Sequence, residues 1–309
     1  MRIISTTLNE LIDQVSQRAS IDRQNQTNIT LLTQWVNITI RDISTRHRWP
    51  WLNKRTAITT VADSAVTDDT TTATNGSKTV TSTGTPFAAT DVGRFIQFED
   101  TNDWYEITAR ASSSSISIEP AFQGTTATDL DHTIRTLYYN LPANCHKVYD
   151  VRQYRTPAKL TYIDTKTLDL LKPHQTTTGT PRSYYLFYYS NPQSSTGQQW
   201  AVSFEPVPDA AMLVEVRYYA KPTLLSLGTD ISEIPEIYHN VILDGASYQA
   251  FLWANNPSTG GMKNQYEAGI QYMKWDALPT TDDFDVIQAI DEVSKPSRIV
   301  PFPEEFGWL

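Results

Sequence analysis

The side chains that most often carry chemistry are few and dispersed in this chain. Cys145 is the single cysteine, which excludes a disulfide framework and any cysteine-based zinc or iron–sulfur site. Its neighbour is His146, and consecutive side chains on an extended strand point in opposite directions, so structural roles are favoured over a nucleophile–base pair. No second histidine stands at a metal-ligand spacing from any of the five, which are His47, His132, His146, His174 and His239.

The acidic and aromatic side chains do not define a catalytic site either. The run "DDFD" at 282–285 could hold a divalent cation, but acids in a solvated segment bind weakly, so surface charge is favoured. Nothing singles out a glycosidase pair among the 34 acidic residues. The run "SYYLFYY" at 183–189 could stack on sugars, yet alternating aromatics more often pack the two faces of a sheet. We therefore predict no enzyme activity, no cofactor and no metal ion.

Charge is distributed unevenly along the chain. The formal net charge of −9 argues against broad contact with nucleic-acid phosphates. Residues 1–56 nevertheless carry eight Lys and Arg against four acids, whereas residues 280–309 carry seven acids against two bases. Both ends could be ordinary solvated surface. The sharper hypothesis is that the basic end meets the acidic end, on the same chain or on a neighbouring one.

Hydrophobic spacing predicts two helices near the N-terminus. Residues 8–19 place apolar side chains at i, i+3, i+4 and i+7, and Thr7 with Glu10 forms a capping box at the start. A second amphipathic pattern runs from Ile29 to Ile43. Three further apolar residues widen the face of this second helix: Leu31, Trp35 and Ile38.

Composition divides the chain into five segments, and they predict an α+β fold. The segments are an N-terminal helix pair (1–56), an inserted small β module (57–140), a second β region (141–230), a C-terminal helix pair (231–279) and an extended acidic arm (280–309). We expect the two helix pairs to form one helical bundle with the β regions projecting from it. In the first C-terminal helix, Gly245 interrupts a stripe that includes Ile237 and Leu252, which indicates a close approach by another element.

The chain shows no pattern of a membrane or secreted protein. No apolar run approaches the ~20 residues that cross a bilayer. The opening "MRIISTTLNE" lacks the apolar core of a signal peptide. We expect a soluble protein that is made in the cytoplasm.

The stretch "HRWPWLNKR" at 47–55 stands where the helical pattern stops. It suits a sugar platform, a membrane-surface anchor or a structural hinge, and the change of pattern around it favours the hinge, formed by Trp49, Pro50 and Trp51. We expect an extended step here, with one tryptophan on the helices and the other under the β module. The surrounding basic residues are predicted to receive an acidic neighbour, and they are Arg46, Arg48, Lys54 and Arg55.

Several segments, in order, resemble the head-to-tail adaptor (connector) proteins of tailed bacteriophages. The helix end "RDISTRHRWPWL" is similar to the Arg-rich, Trp-containing end of the second helix in that family. The inserted β module of the family is matched by "TVTSTGTPF", "DVGRFI" and "WYEI". Its later strands are matched by "YYNLPANCHKVYDV", "TPRSYYLFYY" and "MLVEVRYYAKP", and the lead into its third helix by "EIPEIYHNVILDGA". The resemblance covers roughly residues 5–280.

This resemblance implies a structural virion protein at the head–tail junction. It implies a ring of twelve copies that binds the portal protein of a short-tailed phage, extends the DNA channel and provides a platform for downstream tail or nozzle proteins. DNA would pass through without sequence-specific binding, and no membrane is involved. The arm at 280–309 is carried over only as a region that reaches along the portal, with Phe302, Phe306, Trp308 and Leu309 as its candidate anchors.

One alternative from a different class stays open at this point. The Thr- and Ser-rich strands and the 11% aromatic content also suit a tail-associated protein that binds or cleaves carbohydrate. Loss of glycan binding on Trp104→Ala would favour it.

Overall fold

The computed structural model describes residues 6–99, 101–154, 159–171, 177–190 and 198–278. Two compact units are present: residues up to Leu52 together with those from Pro222 onward, and Asn53–Lys221. The mixed α+β class predicted from the sequence is confirmed. The described helices are α1 (Leu8–Ala19), α2 (Gln26–Arg46), α3 (Thr165–Leu171), α4 (His239–Trp253) and α5 (Thr259–Ala277). Within this described part, no helix is long and apolar enough to cross a bilayer.

Thirteen strands lie within the described residues, and all belong to the second unit. They are β1 (Asn53–Thr59), β2 (Ser64–Ala73), β3 (Thr79–Ser82), β4 (Phe95–Phe98), β5 (Tyr105–Ser112), β6 (Ser115–Glu119), β7 (Ala127–Arg135), β8 (Tyr139–Asn140), β9 (Cys145–Gln153), β10 (Thr161–Tyr162), β11 (Ser183–Ser190), β12 (Gln198–Glu205) and β13 (Leu213–Ala220).

The first helix begins with the predicted capping box. Thr7 Oγ1 accepts a hydrogen bond from the backbone N–H of Glu10 at 3.4 Å, and the backbone N–H of Thr7 donates to Glu10 Oε2 at 2.8 Å. Each bond satisfies a backbone donor that has no partner inside the helix. The start of α1 is therefore determined by residues three positions apart, which is why the sequence predicts it correctly.

Helices α1, α2, α4 and α5 share one hydrophobic core. Its buried side chains come from all four helices, including Leu11, Val36, Ile242 and Ile270. In α4 every residue from Val241 to Ser247 is buried, since other helices cover it on several sides.

Three apolar residues predicted for buried faces are exposed instead: Ile38 by 46%, Ile237 by 67% and Leu252 by 52%. The stripe predicted for α4 is wrong at Ile237 and Leu252. These residues lie at or beyond the ends of the helix. The centre of α4 is buried on all sides, so the spacing of its apolar residues does not mark a single buried face.

Strands β2 to β7 close into a barrel in the order β2-β3-β6-β5-β4-β7. Its core contains alternating residues of each strand, such as Ile96 and Phe98 on β4 and Ile116 and Ile118 on β6. Asn75 and Gly76 lie in the turn between β2 and β3, where Gly76 has φ +74°, a conformation that glycine adopts without steric cost.

The remaining strands form two small sheets, β1-β13-β9 and β10-β11-β12-β8. β1 pairs antiparallel with β13 along its whole length, from Asn53 opposite Tyr219 to Thr59 opposite Leu213. One face of each sheet contributes to a common core that includes Val216 and Phe204. The opposite face of β1-β13-β9 carries charged residues, including Arg55, Glu215 and Arg217.

Arginines secure the two chain segments that lead into and out of the barrel. Arg94 donates to the carbonyls of Ala62 and Ile134, at 3.0 and 3.1 Å, and to Thr136 Oγ1 at 3.0 Å. Arg135 donates to the carboxylate of Asp63 at 2.7 to 3.1 Å. Because each arginine joins the entering segment to the leaving one, the base of the barrel is cross-linked by charge-assisted hydrogen bonds.

Candidate assembly interface

The one cysteine is not placed for catalysis. Cys145 is buried while His146 is exposed, so the two side chains lie on opposite sides of β9, as predicted. Burial raises the pKa of the Cys145 thiol to about 11. A thiol with this pKa stays protonated near neutral pH and is a weak nucleophile. Within the described ranges, no group of three or more His, Cys, Asp or Glu side chains is arranged to hold a metal ion. The "DDFD" run lies outside the described residues.

The aromatic candidates for a sugar platform have partners in the fold. Arg135 lies over the ring of Trp104, with its guanidinium carbon 4.8 Å from the ring centroid. Tyr184, in the Tyr-rich strand β11, is buried in the core between the sheets, and Phe187 contacts Tyr138 edge to face at 5.4 Å. These side chains therefore pack β elements together, which agrees with the interpretation of the run as a two-faced strand.

The Trp-Pro-Trp stretch forms a 3₁₀ turn at Pro50–Leu52 rather than an extended step. The rings of Trp49 and Trp51 stack on each other, 4.9 Å apart with planes inclined by 12°. Trp49 is fully buried in the helical core and donates from Nε1 to the carbonyl of Ile43 at 2.6 Å. The prediction that the two rings point to different units is wrong, because the turn brings both onto the helices. The proposed hinge role of the stretch stays a prediction.

Arg46 has acidic partners within its own chain. Its guanidinium contacts Asp42 on α2 at 2.8 Å and both carboxylate oxygens of Glu267 on α5, at 2.6 and 3.0 Å. It also lies 5.5 Å from the ring centroid of Tyr266, whose hydroxyl donates to Asp42 at 2.7 Å. Hydrogen bonds to Glu267 and then to Asp42 raise the pKa of Arg46 above its usual range. Arg46 therefore joins α2 to α5, and its contact with an acidic neighbour stays a prediction.

The other predicted basic residues are divided between the two units. Arg48 is exposed just after α2, in the helical unit. Lys54 and Arg55 lie on β1 in the β unit, where they point to opposite faces of the sheet and only Arg55 is exposed. The predicted anchors Phe302, Phe306, Trp308 and Leu309 lie outside the described residues.

The sequence interpretation missed a pair of exposed aromatic residues on α5. Trp275 is 74% exposed and Tyr272 is 52% exposed, with ring centroids 6.5 Å apart; we call this pair the α5 aromatic patch. Next to it, the hydroxyl of Tyr238 donates to Asp276 Oδ2 at 2.7 Å and ties the end of α5 to the turn before α4. Burial, and then this carboxylate, raise the pKa of Tyr238 to about 12. The sequence signal for this patch is that Tyr272 and Trp275 lie off the buried stripe of α5. Large aromatic side chains in such positions often mark an interaction site.

A sequence model of the SU10 adaptor protein family matches residues 106–288, which is more than half of the 309 residues. The chain belongs to the SU10 adaptor protein family. The predicted resemblance is thereby confirmed at the level of a phage adaptor, a structural class of virion protein rather than an enzyme class. A search of curated proteins finds no match to the chain.

The range matched by the family model contains most of the helices and strands described above. It begins inside β5 and includes strands β6 to β13, α4 and α5, and with them the α5 aromatic patch and Glu267, whereas β1 lies outside it. The N-terminal helices of this adaptor lie outside the matched range, yet they share a hydrophobic core with its helices α4 and α5.

Proposed function

We propose that this adaptor is the subunit of a ring that binds the portal of a short-tailed phage, extends the DNA channel and carries the tail. The observation that carries the proposal is the family match. The order of segments supports it, as does the absence of a metal-binding cluster or an activated thiol from the described residues. The adaptor would act by binding other proteins, so its function depends on which of its surfaces contact the portal, the neighbouring subunits and the tail.

The helical unit is the proposed site of portal and subunit contact. We propose that its two helix pairs form a bundle, supported by the single core that α1, α2, α4 and α5 share. A ring requires heterologous contacts, in which two different patches of the same subunit meet. The α5 aromatic patch suits one side of such a contact, since burying an exposed aromatic side chain contributes ~1.5–3 kcal/mol.

The five-segment division also stands as a proposal, with the arm at 280–309 reaching along the portal. Its candidate anchors remain Phe302, Phe306, Trp308 and Leu309. Contact with an acidic neighbour remains proposed for four basic residues: Arg46, Arg48, Lys54 and Arg55. The net charge of −9 suits a channel wall that does not retain passing DNA.

The direct test is assembly with the portal. Purified adaptor mixed with portal should give a discrete ring-on-ring complex by electron microscopy, with the mass of a defined number of copies by mass photometry. Adaptor and portal that stay separate over a range of salt and protein concentrations would contradict the proposal. Deleting 283–309 should leave a folded chain that is no longer incorporated into virions, and normal incorporation would refute a role for the arm.

A substitution in the α5 aromatic patch separates assembly from folding. Trp275→Ser should leave the unfolding temperature within about two degrees, because an exposed side chain contributes little to folding. It should reduce the yield of the complex several-fold, since the buried aromatic would be lost from the contact. Tyr162→Ser is the matched control, being 53% exposed but in the β unit, and it should assemble normally. Equal yields from both variants would exclude the patch as a contact.

A further inference from the structure

The outward face of sheet β1-β13-β9 is basic, although the chain as a whole is acidic. Val214, Val216 and Tyr218 point into the core, so the alternate residues of β13 point outward. Cross-strand register aligns Arg55 with Arg217 and Arg217 with Asp150. The basic sheet face, as we define it, contains two acids, Asp150 and Glu215, and five cations. The cations are Arg55, Lys147, Arg152, Lys159 and Arg217. Its net charge is +3.

A buried carboxylate organises these cations. The side chain of Asp150 is 6% exposed, and its oxygens lie 2.9 Å from Arg152 Nε, 3.7 Å from Lys159 Nζ and 3.9 Å from Arg217 Nη1. Arg217 also donates from Nε to Glu215 at 2.6 Å. A guanidinium carries five N–H donors, and these contacts engage only some of them. The remaining donors are therefore held in place before any ligand arrives, which reduces the entropy lost on binding.

An aromatic platform borders the cations. The rings of Tyr149 and Tyr219 lie 4.9 Å apart on the same face, and the hydroxyl of Tyr149 donates to Asn53 Oδ1. Lys147 pairs in register with Tyr219, so a cation flanks the platform. Such a surface fits a ligand with several carboxylates and an aromatic side chain.

We propose that the basic sheet face binds residues 282–292 of a second copy of this chain. That segment, "DDFDVIQAIDE", has five acids, no base and Phe284 between its first three aspartates. It begins four residues after Leu278, where the described chain ends, and the face and the segment occur on every copy. In a closed ring with head-to-tail contacts, the basic sheet face of every copy would therefore bind the acidic segment of its neighbour. This inference rests on the proposed ring and names a contact between its neighbours.

Charge placement favours a peptide over DNA as the occupant. Asp150 and Glu215 stand among the cations and would repel a continuous row of phosphates. A peptide can instead space its carboxylates around these two acids and place an apolar ring on the tyrosines.

A binding assay tests the face without requiring a ring. The probe is a labelled peptide of residues 280–309, and the receptor is the full chain carrying Asp282→Asn, Asp283→Asn and Asp285→Asn, so that its own segment competes weakly. Fluorescence anisotropy should show saturable binding that weakens with added salt. Receptors that also carry Arg55→Glu should bind about fivefold more weakly, because an attraction becomes a repulsion. Lys166→Glu, the same charge reversal on exposed α3, should bind within about twofold of the parent.

The outcomes separate this inference from the ring itself. Absence of saturable binding, or equal weakening by Arg55→Glu and Lys166→Glu, would overturn the acceptor face even if portal complexes form. A labelled DNA duplex that binds in an Arg55-dependent manner, while the peptide does not, would overturn the choice of occupant. For the second copy, mixing full-length Arg55→Cys with full-length Asp283→Cys should give a disulfide-linked dimer. A disulfide that forms only when both substitutions are on one chain would contradict a contact between copies. Buried Cys145 should not react.

Discussion

Gly245 on α4 lies against Thr39 of α2 and Tyr266 of α5, and adding one methyl group there tests this packing. A Cβ at this position would stand 2.4 Å from Thr39 Cγ2 and 2.7 Å from Tyr266 Cε2. Carbon atoms in good contact are ~3.5–4.0 Å apart, so both neighbours would have to move. Neither moves easily, since Thr39 Oγ1 donates to the carbonyl of Trp35 at 2.9 Å and the hydroxyl of Tyr266 donates to Asp42 at 2.7 Å.

Two opposing effects determine the size of the change for Gly245→Ala. Alanine favours a helix over glycine by ~1 kcal/mol. Overpacking a dense core costs about 1–3 kcal/mol, and two clashes with hydrogen-bonded side chains place this site at the upper end. We expect a net loss of about 2 kcal/mol in the free energy of unfolding. For a unit of about 100 residues, this lowers the unfolding temperature by about 10 °C.

The assay is urea unfolding followed by far-ultraviolet circular dichroism, which reports the helical unit. Gly245→Ala should lower the midpoint with an unchanged dependence on urea. Gly261→Ala is the matched control, because its Cβ would meet no atom within 4 Å in the first turn of α5, and it should be neutral or slightly stabilising. If Gly245→Ala unfolds at or above the parental midpoint, the close approach of these helices is refuted.

Three further predictions follow from single contacts. A double-mutant cycle of Arg46→Met and Glu267→Gln should give a coupling of about 0.5–1 kcal/mol that shrinks at high salt; additive effects would mean that the pair does not form. Burial lowers the pKa of His132 below 6.5, so the barrel should lose stability as pH falls through 6.5, by at most ~1.4 kcal/mol per pH unit. In calorimetry, His132→Gln should reduce this dependence of stability on pH. An unchanged slope would exclude His132 as its source. Trp49→Phe, which loses the hydrogen bond to Ile43 and part of the stack on Trp51, should cost about 1–2 kcal/mol in urea unfolding, whereas full stability would contradict the buried geometry.

Local signals in the sequence were sufficient wherever the physics is local. The capping box of Thr7 and Glu10 depends on residues three positions apart and was predicted, and the turn at Gly76 and the alternation along β4 are equally local features. The exposed ends of the α4 stripe were not, because α4 is buried around most of its circumference and its pattern does not report one face.

In the Trp-Pro-Trp stretch, the local sequence predicts the end of the helix but not the positions of the two tryptophan rings. Proline correctly predicts that α2 ends, but the directions of Trp49 and Trp51 depend on a 3₁₀ turn and on the helices that receive the rings. An extended step and a 3₁₀ turn are both compatible with the sequence around Pro50. Packing selected between them.

The sequence by itself determined the order of helical and β segments, the α+β class, the charge asymmetry and the resemblance to phage adaptors. Only the tertiary structure decided which charges are already engaged within the fold. Arg46 and Glu267 are 221 residues apart and form an ion pair, whereas Arg55 joins a basic face whose other cations come from β9, β13 and the chain next to β9. The physical reason is that the electrostatic interaction of two side chains depends on their separation in space, and folding sets that distance without regard to sequence order.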